Sequence, residues 1–206
     1  GSGKTTIANL VARFYDPISG VVKMDGTDIR DLSLSSLREQ ISIVLQETFI
    51  FSGTIMENIR FGNPHASDEE VIKAAEAVGA NRFIERLSNS YETEVEERGN
   101  ILSVGERQLL SFARALLADP RIIILDEATA SIDTETELQI QEALRTLLKN
   151  RTAIMIAHRL STIREADQII VLEHGQVLES GNHDSLMTEK GHYHQLVMSQ
   201  FTTDVN

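Results

Sequence analysis

The sequence predicts an α/β fold with a mainly parallel sheet and an inserted α-helical subdomain. Three observations predict it. Short apolar runs of strand character alternate with segments whose apolar residues recur at helical spacing, the pattern of helices layered on a sheet. Ile122 to Leu125 is wholly apolar, as befits a strand buried on both faces. Residues 55–120 read as mostly helical, so they form an insertion between core segments 1–54 and 121–182, with 183–206 as a helical tail.

Taken in order, Gly1-Ser2-Gly3-Lys4-Thr5-Thr6 is a glycine-rich turn that feeds a helix with Ile7, Leu10, Val11 and Phe14 on one face. Asp16-Pro17 and Ser19-Gly20 are expected to end that helix. Val21 to Met24 and Thr27 to Ile29 flank an Asp25-Gly26 turn and read as a short hairpin. Ile41 to Leu45 is a strand ending at Gln46. Ser67 with Glu70, and Ser103 with Glu106, are capping-box signatures. The first opens a helix carrying Val71, Ile72, Ala75 and Val78 and stopped by Gly79; the second opens one carrying Leu109, Leu110, Ala113, Leu116 and Leu117. After the Ile122–Leu125 strand come a helix over 138–148 and a strand over 152–157. A strand over 169–172 turns at His174-Gly175 into Val177 and Leu178, and a helical tail runs from His183 to Phe201.

Composition narrows the class. With 206 residues, 41% hydrophobic and 24% charged, the chain matches one ordinary globular domain. It has no run of about 18 apolar residues that would cross a bilayer, nor a basic-then-apolar N-terminal segment of signal-peptide type. Zero cysteines exclude disulfides and thiolate metal sites. The net charge of −12 repels nucleic acid, so no nucleic-acid partner is expected.

Gly1-x-Gly3-Lys4-Thr5 matches the second half of G-x-x-x-x-G-K-[ST]. Such a loop turns successive backbone N–H groups toward phosphate at a helix N-terminus. Lys4 would add a point charge on the β- and γ-phosphates of a nucleotide, and the Thr5 hydroxyl would ligate Mg²⁺. Ile122-Ile123-Ile124-Leu125-Asp126-Glu127 supplies the complement, a buried strand that delivers two acids at its C-terminal end, where open α/β sheets bind ligands. Asp126 would hold Mg²⁺ and Glu127 would polarise the attacking water. Two solvated acids after a strand are common; the order Lys4, then Asp126-Glu127, is what favours the catalytic reading. His158 comes just after the strand over 152–157 and so emerges at a strand end as well, which suits a γ-phosphate contact. His65, His174, His183, His192 and His194 fall in loops or the tail and read as surface residues.

With these residues in place the chain resembles an ABC transporter ATP-binding domain of the export type. Gly1 to Thr6, Gln46, Leu102-Ser103-Val104-Gly105-Glu106, Asp126-Glu127, Ser131-Ile132-Asp133 and His158 are similar, in this order, to that family's Walker A, Q-loop, signature, Walker B, D-loop and H-loop. The resemblance implies a P-loop NTPase (RecA-like) core and a chain that begins partway through Walker A. It implies ATP and Mg²⁺ as cofactors. ATP would be held by Gly1, Ser2, Gly3, Lys4, Thr5 and Thr6, with Ser103, Val104, Gly105 and Asp133 meeting nucleotide across a dimer. Mg²⁺ would be held by Thr5, Gln46 and Asp126, and Glu127, His158 and Gln46 would be catalytic. It implies further that two such domains face each other head to tail, each ATP lying between one subunit's Walker A and the other's signature. The partners would be that second ABC ATPase domain and a transmembrane domain, met by the segment from Thr93 to Gly99, which resembles the X-loop; the place would be the cytoplasmic face of a membrane.

Two signature positions depart from the family's usual Leu-Ser-Gly-Gly-Gln. Val104 puts a branched side chain where backbone approaches phosphate. Glu106 either brings a negative charge near the partner's ATP or completes the capping box with Ser103. Intact Lys4, Glu127 and His158 beside an altered signature point to a heterodimer with one weakened ATP site. Two other readings stand beside this one: an interaction-only ABC ATPase fragment, and a DNA-acting ATPase sharing the same head. The latter is disfavoured by the acidic balance and by the mere 122 positions between Lys4 and Asp126.

Overall fold

A computed structural model describes residues 2–45, 48–96, 101–126, 133–156 and 160–203. Along the chain lie α1 (Lys4–Val11), β1 (Lys23–Met24), β2 (Thr27–Asp28), α2 (Leu34–Glu39), β3 (Ile41–Val44), β4 (Gly53–Thr54), α3 (Ile55–Arg60), α4 (Asp68–Ala77) and α5 (Asn81–Ile84). Then come β5 (Glu94–Val95), α6 (Val104–Leu117), β6 (Ile122–Asp126), α7 (Thr134–Leu148), β7 (Thr152–Ile156), α8 (Leu160–Arg164), β8 (Ile169–Glu173), β9 (Gln176–Gly181), α9 (His183–Glu189) and α10 (His192–Thr203). They group into two compact units, residues 30–155 and residues 1–29 with 156–206.

The larger unit is built on the sheet β3-β6-β7. β3 and β6 run parallel, Ile41 opposite Ile122 and Val44 opposite Leu125, so both strands point their C-terminal ends to the same sheet edge. β6 is the middle strand, and Ile123, Ile124 and Leu125 are buried as its apolar run demands. Helices cover it: Leu109, Leu110, Phe112 and Ala113 of α6 and Ile140, Ala143 and Leu147 of α7 belong to one core with Ile55 and Ile59 of α3 and Val71 and Ala75 of α4. Both expected capping boxes form, Ser67 with Glu70 on α4 and Ser103 with Glu106 on α6. A third, Thr54 with Glu57, opens α3. The Thr93-to-Gly99 segment contains a strand the sequence did not signal: β5 pairs antiparallel with β4, which buries Val95.

A buried polar knot fastens the start of the helical region. Asn58, 2% exposed, accepts the Phe51 N–H at 2.9 Å and donates to the carbonyls of Phe51 at 2.9 Å and Thr54 at 3.0 Å. Arg114 of α6 donates to the Asn58 carbonyl at 2.9 Å and to its Oδ1 at 3.2 Å. Its guanidinium lies 5.3 Å from the Phe51 ring centre and 5.5 Å from that of Phe61, and burial pushes its pKa down. Asn58→Ala leaves the Phe51 amide without its acceptor and takes one bond from the Arg114 guanidinium, which keeps the residue-58 backbone carbonyl, so a loss of about 1–3 kcal/mol of local stability is expected. Hydrogen exchange over α3 and α6 measures it; unchanged protection would show that the knot contributes nothing.

In the smaller unit, α1 stops earlier than Asp16-Pro17 suggests. Arg13 adopts φ 52°, and Phe14 N–H reaches back to the Asn9 carbonyl at 2.9 Å, the closure that ends many helices in a left-handed residue. Arg13 is held there by Asp16 at 3.1 Å and the Ile29 carbonyl at 3.1 Å, which leaves Phe14 exposed beyond the helix. β1 and β2 form the expected hairpin, shortened to Lys23↔Asp28 and Met24↔Thr27. β8 and β9 pair antiparallel about His174 (φ 50°) and Gly175 (φ 78°). The tail is two helices, broken where Lys190 takes φ 54°. Ile169, Leu186, Tyr193 and Val197 form its small core.

Candidate functional site

Lys4, Thr5 and Thr6 form the start of α1. Gly3 precedes it at φ 98° and ψ 4°, a left-handed conformation that glycine adopts without strain. No side chain caps this end, so the first N–H groups, which have no intrahelical partner, stay available to an anion. Lys4 Nζ donates to Ser2 Oγ at 2.9 Å. Lys4, Thr5 and Thr6 are exposed. Behind the loop, the Gly175 N–H donates to the Ser2 carbonyl at 3.1 Å.

In the larger unit, Asp126 ends β6, half-buried. In the sequence Gln46 comes two positions after the end of β3. β7 ends two positions before His158. Gly1, Gln46, Glu127 and His158, and Ser131-Ile132 of the D-loop, lie outside the described residues.

The signature opens α6. Ser103 is its cap residue: Ser103 Oγ accepts the Glu106 N–H at 3.2 Å and Glu106 Oε2 accepts the Ser103 N–H at 2.8 Å. Of the two roles open to Glu106, the geometry here is the cap. Val104 is exposed and Gly105 buried. Gly105 is needed for packing: a Cβ there would stand 2.3 Å from Thr136 Cγ2 and 3.6 Å from Ile140 Cδ1 on α7. The D-loop residue Asp133 caps α7, its Oδ1 accepting the Thr136 N–H at 2.9 Å. That bond and one from the Thr136 hydroxyl hold the Asp133 carboxyl below its usual pKa.

Thus the N-termini of two long helices, α6 and α7, converge, each with its positive dipole end toward one surface. They border a cavity of about 190 Å³ whose lining includes Ser103, Glu106, Glu135, Thr136, Arg82 and Arg86. No motif pointed to these two arginines; their only sequence signal is their spacing of four. Among the described residues no group of three or more His, Cys, Asp or Glu is placed to hold a metal ion, and no helix is long and apolar enough to cross a membrane.

The comparisons with known proteins bear on family and fold. The sequence profile of the ABC transporter family matches residues 1–130. The chain is 71% identical over 205 residues to the uncharacterized ABC transporter ATP-binding protein YknV of Bacillus subtilis, covering 100% of this chain and 34% of that protein. It is 52% identical over 204 residues to the ATP-dependent lipid A-core flippase of Syntrophus aciditrophicus, covering 99% of this chain and 34% of that one. Among solved structures, a bacterial Atm1-family ABC exporter with ATP bound superposes with a TM-score of 0.89 at 44% identity, covering 97% of this chain and 35% of its own. The chain therefore spans about a third of the length of the curated relatives it matches. A phosphate loop opening a helix, a buried strand ending in Asp126, a signature helix start and a profile match over most of the length converge on one assignment: the chain belongs to the ABC transporter family, as its ATP-binding domain.

Proposed function

We propose that this domain binds ATP on its own phosphate loop, meets a second ABC ATPase domain across that ATP, and hydrolyses it to power export of a substrate through a membrane. One observation carries the reading: the same chain supplies a glycine-started, uncapped helix bearing Lys4 and Thr5 and a buried strand that ends in Asp126. In this reading Gly1, Ser2, Gly3 and Thr6 cradle the phosphates with Lys4. Thr5, Gln46 and Asp126 offer a hydroxyl, an amide oxygen and a carboxylate, the hard oxygen donors that suit Mg²⁺. When bound, Mg²⁺ would neutralise charge on the phosphate oxygens. Glu127 polarises the attacking water and His158 contacts the γ-phosphate. Ser103, Val104, Gly105 and Asp133 face the nucleotide of the partner domain, where the dipole ends of α6 and α7 favour anionic phosphate. The division into a core of 1–54 and 121–182 and a helical subdomain of 55–120 belongs to the same proposal.

The longer protein would supply a transmembrane domain, docked against the Thr93-to-Gly99 segment and holding this domain at the cytoplasmic face of the membrane. The names of two relatives, a lipid A-core flippase and a fatty acid ABC transporter ATP-binding/permease protein, support a membrane-transport role. Binding of a fluorescent ATP analogue to the full-length protein tests the reading at its base. Lys4→Ala is expected to weaken binding by about a hundredfold, through lost charge-assisted contacts to phosphate; equal binding by both proteins would remove the phosphate loop from the site.

The second ABC ATPase domain is proposed to come from a different chain. Val104 alters this chain's signature while its Lys4 and Asp126 are intact, and in a head-to-tail dimer these belong to different ATP sites. The capping geometry of Glu106 leaves this asymmetry resting on Val104. Full-length protein purified alone is expected to turn over ATP poorly until the partner chain is added; robust turnover at both sites of a homodimer would refute the heterodimer.

A further inference from the structure

We propose that Glu179 couples the seating of helix α10 to the geometry of the phosphate loop, so that releasing α10 weakens nucleotide binding. The proposal rests on the reading that the loop from Gly1 to Thr6 binds nucleotide, and every contact it uses lies within the smaller unit.

The β8–β9 turn and strand β9 each make a polar contact, one to the loop and one to α10. Just before β9, the Gly175 N–H holds the Ser2 carbonyl at 3.1 Å. Because the peptide is planar and trans, pinning that carbonyl turns the Gly3 N–H the opposite way, and a phosphate-receiving loop needs its successive N–H groups aimed together. The two backbones are in van der Waals reach: a Cβ on Gly3 would lie 3.5 Å from the Gly175 Cα. Farther along the strand, the Glu179 carboxylate accepts the backbone N–H groups of His192 and Tyr193, the latter at 2.9 Å. Its side chain is only 12% exposed, and His192 Nδ1 lies 3.3 Å away.

This is a cap supplied from a distance. α10 is preceded by Gly191, which has no side chain with which to satisfy the free N–H groups of the first turn, and Glu179 takes that role. Gly191 is also what admits the carboxylate, since a Cβ there would stand 2.1 Å from Glu179 Oε1 and 2.8 Å from its Cδ. The adjacent Tyr193 is buried, and its hydroxyl lies 2.8 Å from His183 Nδ1, so α9 and α10 seat together. Between the two contacts, β9 is paired with β8 at Gln176, Val177 and Glu179, with one register shift at Leu178. Four residues of strand span about 13 Å, and a paired hairpin of that length transmits a displacement better than a free loop would.

The test uses the full-length protein, binding of N-methylanthraniloyl-ATP, and hydrogen exchange over residues 192–203. Glu179→Ala is expected to speed exchange in α10 and to weaken binding by about five- to tenfold, the size of a modest coupling between sites. Gly191→Ala is expected to do the same with every charge retained, and serves if the first variant folds poorly. Asn182→Ala removes only the cap of α9, where Asn182 Oδ1 accepts the Ser185 N–H, and should leave the affinity unchanged. Faster exchange in α10 at unaltered affinity in both variants would overturn the coupling, and unaltered exchange in Glu179→Ala would overturn the cap. A Lys4→Ala protein that still bound the analogue would instead defeat the underlying nucleotide reading.

Discussion

Replacing Glu127 by Gln in the full-length protein is expected to lower ATP turnover by about 10²–10⁴ while nucleotide binding is retained, because a general base contributes on that order. The amide keeps the size and hydrogen bonding of the side chain and removes its basicity. Glu127 is assigned from position: it comes directly after Asp126, which ends a strand buried on both faces at the sheet edge where β3 also ends. The comparison has to be made with the opposite ATP site blocked, since an intact second site would mask the loss. Near-normal turnover under those conditions would show that another group activates the water.

Gly105→Ala is expected to damage the signature helix by a route unrelated to phosphate. The added methyl would stand 2.3 Å from Thr136 Cγ2. Thr136 cannot simply rotate away, because its N–H and hydroxyl both serve Asp133 at the cap of α7. A cost of about 1–3 kcal/mol is expected for overpacking of this kind, seen as faster hydrogen exchange through α6 and α7. Thr136→Ser removes the offending methyl and keeps the hydroxyl, so the double variant should regain most of the protection. Wild-type protection in Gly105→Ala alone would mean that the two helices have room to part. The family resemblance assigns Gly105 to nucleotide contact; the packing gives it a second duty that holds whether or not ATP is present.

The features legible in the sequence are mostly local. The Ser67–Glu70 and Ser103–Glu106 boxes can be read because both partners lie within one helical turn, and the Thr54–Glu57 box has the same pattern. β6 is legible because burial on both faces leaves no polar position in Ile122 to Leu125. The β4–β5 pair is not, since two-residue strands 40 positions apart carry no periodicity and pair only because the fold brings them together. The end of α1 escapes a local reading for a related reason. Arg13 is stabilised at positive φ by Asp16 and by the Ile29 carbonyl, and the second of these is distant in sequence. At the break in the tail, Gly191 lies against Glu179, another residue distant in sequence. Within the candidate site, Asp126 and Ser103 stand out by their place at element ends. The family resemblance makes Asp133 a nucleotide contact and is silent on its role as the cap of α7, although Asp133 and Thr136 have the ordinary capping spacing. Arg82 and Arg86 give no signal beyond their spacing of four, because what brings them to the cavity of Ser103 is the packing of the helical region.

The most direct test of the central claim is release of inorganic phosphate from Mg-ATP by the purified full-length protein, combined with its partner chain if it has one, beside the same preparation carrying Lys4→Ala. Steady hydrolysis by the unaltered protein, reduced by about 10² or more in the variant, is the predicted result. Equal rates from the two preparations, or no hydrolysis from the unaltered protein in its complete assembly, would contradict the assignment of this chain as an ATP-hydrolysing domain.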